Sequence, residues 1–312
     1  MTGKRPLGSS GLEIAPLVLG GNVFGWTADR DASFAVLDAF VGGGGTMIDT
    51  ADVYSAWVPG HKGGESETVI GEWLKASGKR DSVLIATKVG MMTGGLAPDT
   101  IAAAVEGSLK RLGTDRIDLY FAHQDDANVP LADALGAFAR LIEAGKVRCI
   151  GASNYGAARL KEAVDTAARL GLPHYSVLQP EYNLVSRHKF EGELQDLAIQ
   201  HNIGVIPYYG LASGFLTGKY RSEADFGKSP RGGGMKKYLE GNGPAVLAAM
   251  DEVAEETGAT HAQIALAWLA AQPGVTAPIA SATSAEQVED LLGAMRLGLT
   301  KDQIARLDAA GG

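Results

Sequence analysis

Four side chains that can exchange protons lie at or just beyond the ends of short apolar segments. Asp49 and Tyr54 stand in IDTADVY, Lys88 stands in LIATKVG, and His123 stands in DLYFAHQDD. In each string an apolar strand gives way abruptly to polar residues, as at the strand ends where a barrel enzyme assembles its active site. A carboxylate, a phenol, a lysine and an imidazole brought to one face would form a proton-donating site.

These four residue types suggest a division of roles. A tyrosine has a reference pKa of about 10, so it donates a proton poorly at neutral pH unless its phenolate is stabilised. We expect Lys88 to stabilise the phenolate of Tyr54, and Asp49 to hold the lysine charged and oriented. His123 could hydrogen-bond a carbonyl oxygen and help to polarise it. The sequence therefore predicts protonation of an oxygen while another group delivers hydride to carbon.

Each of the four residues also has a structural alternative. Taken alone, a tyrosine near a strand end is more often a packing residue, and Asp49 could equally cap a helix after Thr50. His123 could be a structural histidine whose ring nitrogens are hydrogen-bonded within the protein. For Lys88 a functional role is favoured over a structural one, because a lysine that closes the buried run VLIATK would lie near a barrel axis, where an unpaired charge is costly. The other five histidines have no metal-ligand spacing, and no metal is expected.

The elements that must position these residues form a repeating pattern. Short runs rich in Val, Ile and Leu alternate with longer amphipathic stretches, as parallel strands alternate with crossover helices. Eight such units predict one α/β domain over residues 1–312, a (β/α)8 TIM barrel with extra C-terminal helices. Strands are expected at 17–20, 47–49, 82–88, 117–122, 148–152, 176–179, 204–208 and 275–280. Helices are expected at 31–41, 65–76, 98–112, 131–144, 157–170, 189–201, 245–257, 261–271, 284–295 and 300–309.

Three segments fall outside the repeat. Residues 5–16 place a Gly-Ser-Ser-Gly turn between two short segments, which predicts a β-hairpin that plugs one end of the barrel. Residues 55–64 form a Gly/Pro/Trp loop directly after Tyr54 and are predicted to border the substrate. Residues 209–243 are the longest non-periodic stretch, and such a length inside a compact domain is usually functional or mobile.

Composition excludes several classes of protein. The net charge of -8 and its dispersed acidic residues argue against a nucleic-acid partner, which requires clustered Lys and Arg. Cys149 is the only cysteine, so an intramolecular disulfide is impossible, and a buried thiol in a reducing compartment is expected. No apolar run approaches the roughly 20 residues that span a bilayer, and no signal-peptide core is evident. A cytoplasmic protein without a membrane partner is expected.

The ordered motifs resemble those of the aldo-keto reductases along nearly the whole chain. The resemblance implies that Asp49, Tyr54, Lys88 and His123 form the catalytic tetrad of an NAD(P)H-dependent enzyme, with Tyr54 as the proton donor. It also implies a set of cofactor-binding residues in GASNY, LQPEYNL, VIPYYGL and LASGFLTGKY. Ser153, Asn154 and Gln179 would bind the nicotinamide carboxamide, Tyr208 would stack on the ring, and Leu211, Ser213, Leu216 and Lys219 would lie in the loop around the pyrophosphate. Rossmann-type binding is not expected, because no GxGxxG follows a strand.

The sequence departs from the family pattern after the last strand. Many members have a basic residue there that grips the adenosine 2'-phosphate, whereas this chain has Ser281, Thr283 and Gln287 in PIASATSAEQVEDLL, without Lys or Arg. Losing one charge-assisted hydrogen bond costs about 1.5 to 3 kcal/mol, or about tenfold to a hundredfold in affinity. We therefore expect use of NAD, or of both cofactors, although the family favours NADP. Leu291 also replaces the usual Asn at the adenine end.

The leading functional hypothesis is an oxidoreductase that interconverts aldehydes or ketones and alcohols. Trp26, Trp57 and Tyr120 are predicted to line its substrate pocket, and a sugar or small aldehyde is the expected substrate. An alternative is a cofactor-binding regulatory subunit with little turnover, like the potassium-channel beta subunits that resemble this family. A third hypothesis is a cofactor-free lyase or isomerase with Lys88 as a Schiff-base nucleophile. The sequence carries no signal for an oligomeric state.

Overall fold

An eight-stranded parallel sheet forms the centre of the computed structural model, which describes residues 3–92, 94–229 and 232–312. A hairpin of β1 (Arg5–Pro6) and β2 (Glu13–Ile14) precedes it. The strands of the sheet are β3 (Val18–Gly20), β4 (Met47–Asp49), β5 (Leu84–Val89), β6 (Ile117–Ala122), β7 (Val147–Ser153), β8 (Val177–Gln179), β9 (Gly204–Val205) and β10 (Ile279–Ala280). Their spatial order is β10-β3-β4-β5-β6-β7-β8-β9, and every pair is parallel.

The sheet closes between β9 and the segment that leads into β10. The amide of Thr276 donates to the carbonyl of Val205 at 2.8 Å, and the amide of Ile279 donates to the carbonyl of Pro207 at 2.9 Å. The predicted (β/α)8 barrel with an N-terminal hairpin is confirmed. The last two barrel strands are shorter than predicted, since Pro207 and Pro278 cannot donate to a strand ladder.

Helices cover the outside of the barrel. They are α1 (Arg30–Gly42), α2 (Glu65–Ser77), α3 (Pro98–Leu112), α4 (Leu131–Glu143), α5 (Ala157–Leu170), α6 (Glu193–Gln200), α7 (Lys236–Leu239), α8 (Gly243–Thr257), α9 (His261–Ala271), α10 (Ala285–Ala294) and α11 (Lys301–Gly311). Most begin and end within about two residues of the predicted bounds. One exception is α6, predicted from residue 189, which starts after Gly192 because that glycine has a φ of 89°. The other is α7, which lies in the stretch 209–243, where no helix was predicted.

The hairpin closes the end of the barrel opposite the predicted site. Leu7, Leu12 and Ile14 pack in one apolar cluster with inward-facing strand residues such as Met47 and Phe121. The turn approaches β9 so closely that a Cβ added at Gly8, where φ is 53°, would lie 2.1 Å from the amide nitrogen of Gly204. The prediction that the hairpin plugs the barrel is confirmed.

Two further features bear on the compositional predictions. Cys149 is a free thiol, 7% exposed, and burial raises its pKa to about 12. Among the described helices, none combines the length and the apolar character that a membrane crossing requires.

Candidate active site

Three neighbouring strands and one loop bring the four predicted proton-transfer residues to the same end of the barrel. Asp49 is the last residue of β4, Lys88 is the penultimate residue of β5, and His123 directly follows β6. Tyr54 lies in the loop after β4. Because β4, β5 and β6 are adjacent and parallel, their carboxyl ends meet at one face, where barrel enzymes carry their chemistry.

Lys88 is the centre of the resulting network and is fully buried. Its Nζ donates to Asp49 Oδ2 at 2.6 Å, to the backbone oxygen of Thr50 at 2.8 Å and to the hydroxyl oxygen of Tyr54 at 3.1 Å. Burial disfavours charge on Lys88, but Asp49 and Tyr54 outweigh that effect, so the pKa of Lys88 lies above its ordinary value. All three ammonium protons therefore have acceptors, which disfavours the neutral amine that a Schiff-base nucleophile requires.

Tyr54 keeps its proton more firmly than the sequence led us to expect. Burial raises the pKa of its phenol, and the Lys88 ammonium offsets this effect only in part, so the pKa lies above its ordinary value. At neutral pH Tyr54 is therefore a protonated phenol beside a cation. This is the state that a proton donor needs before transfer, and Lys88 is placed to stabilise the phenolate afterwards.

His123 faces Tyr54 as a neutral imidazole. The two ring centroids are 5.9 Å apart in an edge-to-face arrangement, and His123 is 6% exposed. Burial, with the nearby charge of Lys88, holds the pKa of His123 well below its ordinary value. Nδ1 has no hydrogen-bond partner among the described residues. A neutral imidazole still carries one N–H, so His123 can donate to a carbonyl oxygen without adding a charge.

The predicted carboxamide-binding residues share the hydrogen-bond network of Lys88. Gln179 Nε2 donates to Asp49 Oδ1 at 2.9 Å, and Ser153 Oγ donates to the backbone oxygen of Gln179 at 2.9 Å. Asn154, at a φ of 59°, donates from Nδ2 to the backbone oxygen of His123 at 2.9 Å. Asp49 thus receives Lys88 on one oxygen and Gln179 on the other, so it links the two sets of residues.

Tyr208 extends this network beyond β9. Its hydroxyl donates to Asn154 Oδ1 at 2.7 Å, and the half-buried ring lies with its centroid 5.0 Å from that of Tyr209. Tyr209 is 50% exposed. The sequence reasoning did not single out Tyr209, although it directly follows the predicted stacking tyrosine.

The predicted pyrophosphate loop follows as a 3-10 segment, Ala212–Thr217. Ser213 has a φ of 56° and is half-buried, as is Leu211. Lys219 is exposed, with Nζ 5.2 Å from the ring centroid of Tyr220. Leu216, by contrast, is fully buried, so its side chain is a packing residue and only its backbone can face a ligand.

The predicted 2'-phosphate region lies after β10, beside the first strand of the barrel. Ser281 Oγ donates to Asn22 Oδ1 at 2.5 Å, and Gln287 Oε1 accepts from the backbone amide of Thr283 at 2.9 Å. Ser281 and Gln287 are therefore already hydrogen-bonded within the protein, and residues 281–287 contain no Lys or Arg.

Aromatic side chains form a row that leads to Tyr54. The ring centroids of Trp26 and Trp57 are 5.5 Å apart, and those of Trp57 and Tyr54 are 5.9 Å apart. Trp26 is 37% exposed and Trp57 is 49% exposed. Sequence reasoning missed Met92, which is 40% exposed and whose Sδ would lie 3.4 Å from a Cβ added at Gly63, in the loop that carries Trp57. Its position three residues after the end of β5 was the available signal.

The prediction that Tyr120 lines the substrate pocket is wrong. Tyr120 is fully buried, and its ring centroid lies 5.8 Å from that of Phe138 in α4. Side chains alternate along a strand, and Leu119 and Phe121 are the β6 residues that point into the barrel. Tyr120 therefore faces the surrounding helices. The described residues also include no cluster of three His, Cys, Asp or Glu side chains that could hold a metal ion.

Comparison with known proteins agrees with this geometry. A family model described as "Aldo/keto reductase family" matches residues 16–311. A probable voltage-gated potassium channel subunit beta of Arabidopsis thaliana is 32% identical over 298 residues, 92% of this chain and 89% of the relative. Aldo-keto reductase yakc of Schizosaccharomyces pombe, whose name specifies NADP(+), is 30% identical over 299 residues, 91% and 83%. L-glyceraldehyde 3-phosphate reductase of Escherichia coli O157:H7 is 30% identical over 322 residues, 97% and 91%.

Proposed function

We propose that this chain, which belongs to the aldo/keto reductase family, is an NAD(P)-dependent oxidoreductase that interconverts a carbonyl compound and its alcohol. We also propose that residues 1–312 form one barrel domain. The observation that carries it is the buried Lys88 ammonium, which donates to both Asp49 and Tyr54. A protonated phenol beside a fixed cation is suited to giving a proton to an oxygen that becomes basic during the reaction.

The residues at the neighbouring strand ends fit a nicotinamide cofactor. Ser153, Asn154 and Gln179 supply the hydroxyl and amide groups with which a carboxamide pairs, and Tyr208 supplies a flat ring face. When bound, a reduced nicotinamide supplies hydride to the carbonyl carbon. These four residues would hold it, within reach of the same network that holds Lys88.

The protein's own groups then handle the proton. Tyr54 donates its phenolic proton to the substrate oxygen, and Lys88 stabilises the phenolate that results. Asp49 keeps Lys88 charged, and neutral His123 hydrogen-bonds the substrate oxygen. In alcohol oxidation the same groups act in reverse. The interactions with Lys88 and His123 become stronger as negative charge develops on the reacting oxygen atoms. They therefore stabilise the transition state more than the bound substrate, as catalysis requires.

The experiment that tests this activity is a multiple-turnover assay with a panel of aldehydes and either reduced cofactor, with Tyr54→Phe as the control. Turnover in the wild type that is lost in Tyr54→Phe supports the proposal. Binding of cofactor without multiple turnover would instead support a regulatory subunit, a role suggested by the name of the Arabidopsis thaliana relative. Binding of neither cofactor would refute the oxidoreductase proposal.

For cofactor choice we propose NAD, or dual use. The segment from Ser281 to Gln287 contains no Lys or Arg; the Ser281 hydroxyl already donates to Asn22, and the Gln287 side chain already accepts from the backbone amide of Thr283. The name of the Schizosaccharomyces pombe relative points the other way. Separate titrations with NADH and NADPH, followed by quenching of tryptophan fluorescence, decide the matter. NADPH binding more than about tenfold tighter than NADH would mean that a cation elsewhere grips the 2'-phosphate.

For substrate class we propose a sugar or small aldehyde. The faces of Trp26 and Trp57 suit the C–H face of a sugar, and one relative is named L-glyceraldehyde 3-phosphate reductase. Comparing kcat/KM for glyceraldehyde, a pentose and benzaldehyde tests this choice. A clear preference for benzaldehyde would contradict it.

A further inference from the structure

A second set of ionisable side chains lies directly behind the tetrad, between the barrel wall and helices α2 and α3. We call Asp52, Glu67, Arg111 and Tyr120 the rear cluster. Glu67 is fully buried, and its two carboxylate oxygens accept from Thr87 Oγ1 and Arg111 Nε, each at 2.6 Å. The charge of Glu67 is therefore paired, and both of its oxygens are occupied.

Asp52 differs from Glu67 because its carboxyl accepts a hydrogen bond from the backbone of Val53 but leaves one oxygen unpaired among the described residues. Asp52 is 7% exposed, and its Oδ1 makes no hydrogen bond within the described ranges. The Tyr120 hydroxyl of the same cluster is also buried and without a hydrogen-bond partner there. Two unpartnered polar groups in one buried cluster are unusual in a native structure and call for an explanation.

The cluster offers Asp52 no counterion of its own. The charged or titratable groups that act on it are Glu67 of α2, Arg111 of α3, Lys88 of β5 and Tyr120 of β6. Arg111 already pairs with Glu67, and Lys88 already pairs with Asp49. Burial and the charge of Glu67 raise the pKa of Asp52 to about 7, and the two cations do not cancel this effect. An ionised Asp52 would thus place a second anion beside Glu67.

The position of Asp52 in the chain connects this carboxyl to the active site. Asp52 lies three residues after Asp49 and two before Tyr54, and its backbone amide donates to the carbonyl of Lys88 at 3.2 Å. The segment that carries the proton donor is therefore fastened to the strand of the lysine at Asp52. A displacement of the Asp52 backbone would also displace Tyr54, which lies two residues further along the same segment.

We propose that Asp52 is a positioning residue: as a neutral acid it seats the segment from Asp49 to Tyr54 against Lys88, and its ionisation withdraws Tyr54 from the lysine. This role rests on the proposed reductase activity. It predicts that carbonyl reduction weakens as pH rises through about neutrality, well below the pH at which the Tyr54 phenol or the Lys88 ammonium loses its proton, because the pKa of each lies above its ordinary value.

The kinetic test uses Asp52→Asn, which is permanently neutral and has nearly the shape of the protonated acid. In the wild type, kcat for carbonyl reduction should fall about tenfold per pH unit above about pH 7. In Asp52→Asn this fall should be absent, while activity at pH 6 is kept. The matched control is Asp165→Asn, an exposed carboxylate on α5 that pairs with Lys161, and it should retain the wild-type fall. The same fall in Asp52→Asn would overturn the proposal.

A second measurement does not depend on turnover or on the Asn variant. In the full chain labelled with ¹³C at the aspartate carboxyl carbons, one signal should titrate near pH 7. Glu67→Gln should move that titration to lower pH, because it removes the neighbouring negative charge. If no aspartate signal titrates above about pH 5, the proposal is wrong even if the enzyme is active. If the aspartate signal titrates near pH 7 but the protein reduces no carbonyl compound, the proposed function is wrong, and so is the role of Asp52 in catalysis. The assignment of Asp52 as a neutral acid below pH 7 would still hold.

Discussion

Replacing Asp52 by Asn should raise the free energy of unfolding, by an amount that grows with pH. Burial and Glu67 raise the pKa of Asp52 to about 7 in the folded protein, from a reference value of 3.8. Between these two values the folded state binds more protons at this site than the unfolded state, so wild-type stability falls as pH rises. The fall is complete above about pH 7 and corresponds to about 4 kcal/mol.

The assay is urea unfolding of the wild type, Asp52→Asn and the surface control Asp165→Asn across this pH range. Linkage gives an increase of about 2 kcal/mol in the advantage of Asp52→Asn between about pH 5.5 and pH 7.5. Asp165→Asn should track the wild type, because Asp165 is exposed and its pair with Lys161 lies on the surface. A stability gap between wild type and Asp52→Asn that stays constant from pH 5 to pH 8 would refute the reasoning.

Three further changes test the site itself. Tyr54→Phe should lower kcat by about a hundredfold or more while cofactor binding persists, as fluorescence titration would show, and retained turnover would exclude Tyr54 as the donor. Lys88→Met leaves the Asp49 carboxylate buried and should reduce the free energy of unfolding by about 3 to 5 kcal/mol in chemical denaturation; adding Asp49→Leu should recover part of that loss. Trp57→Ala should raise KM by about tenfold with little change in kcat, and an unchanged KM would remove Trp57 from the substrate pocket.

Where one local pattern, a polar residue at the end of an apolar strand, indicates both the fold and the position of a side chain, the sequence predicted the arrangement correctly. Asp49, Lys88 and His123 each end an apolar strand, and parallel strands that alternate with helices have their carboxyl ends at one face. The order of those strings along the chain was therefore sufficient to predict that the three side chains meet. It could not give the balance of effects on Tyr54, where burial outweighs the neighbouring ammonium, because burial depends on the closed barrel.

The residues that sequence reasoning misassigned or missed depend on which way a side chain points. Tyr120 lies near the site end of β6, but its side chain faces the helices rather than the barrel interior. A shift of one residue along the strand would reverse that direction. The rear cluster joins Asp52, Glu67 and Arg111 from a loop and two helices. No short motif contains all three, so only the packing of α2 and α3 on the barrel reveals it.

The closure of the barrel also determines how late in synthesis the protein can complete its fold. Val18 of the first barrel strand pairs with Ile279 of the last, and the Arg5 guanidinium of the hairpin donates to the carbonyl of Thr276. At about 5 to 20 residues per second, the roughly 260 residues between Val18 and Ile279 take about ten to fifty seconds to synthesise. Throughout that interval the plug residues Leu7, Leu12 and Ile14 lack a completed barrel to enter. The hairpin, which is synthesised before the barrel strands, therefore needs protection from aggregation for longer than any later segment.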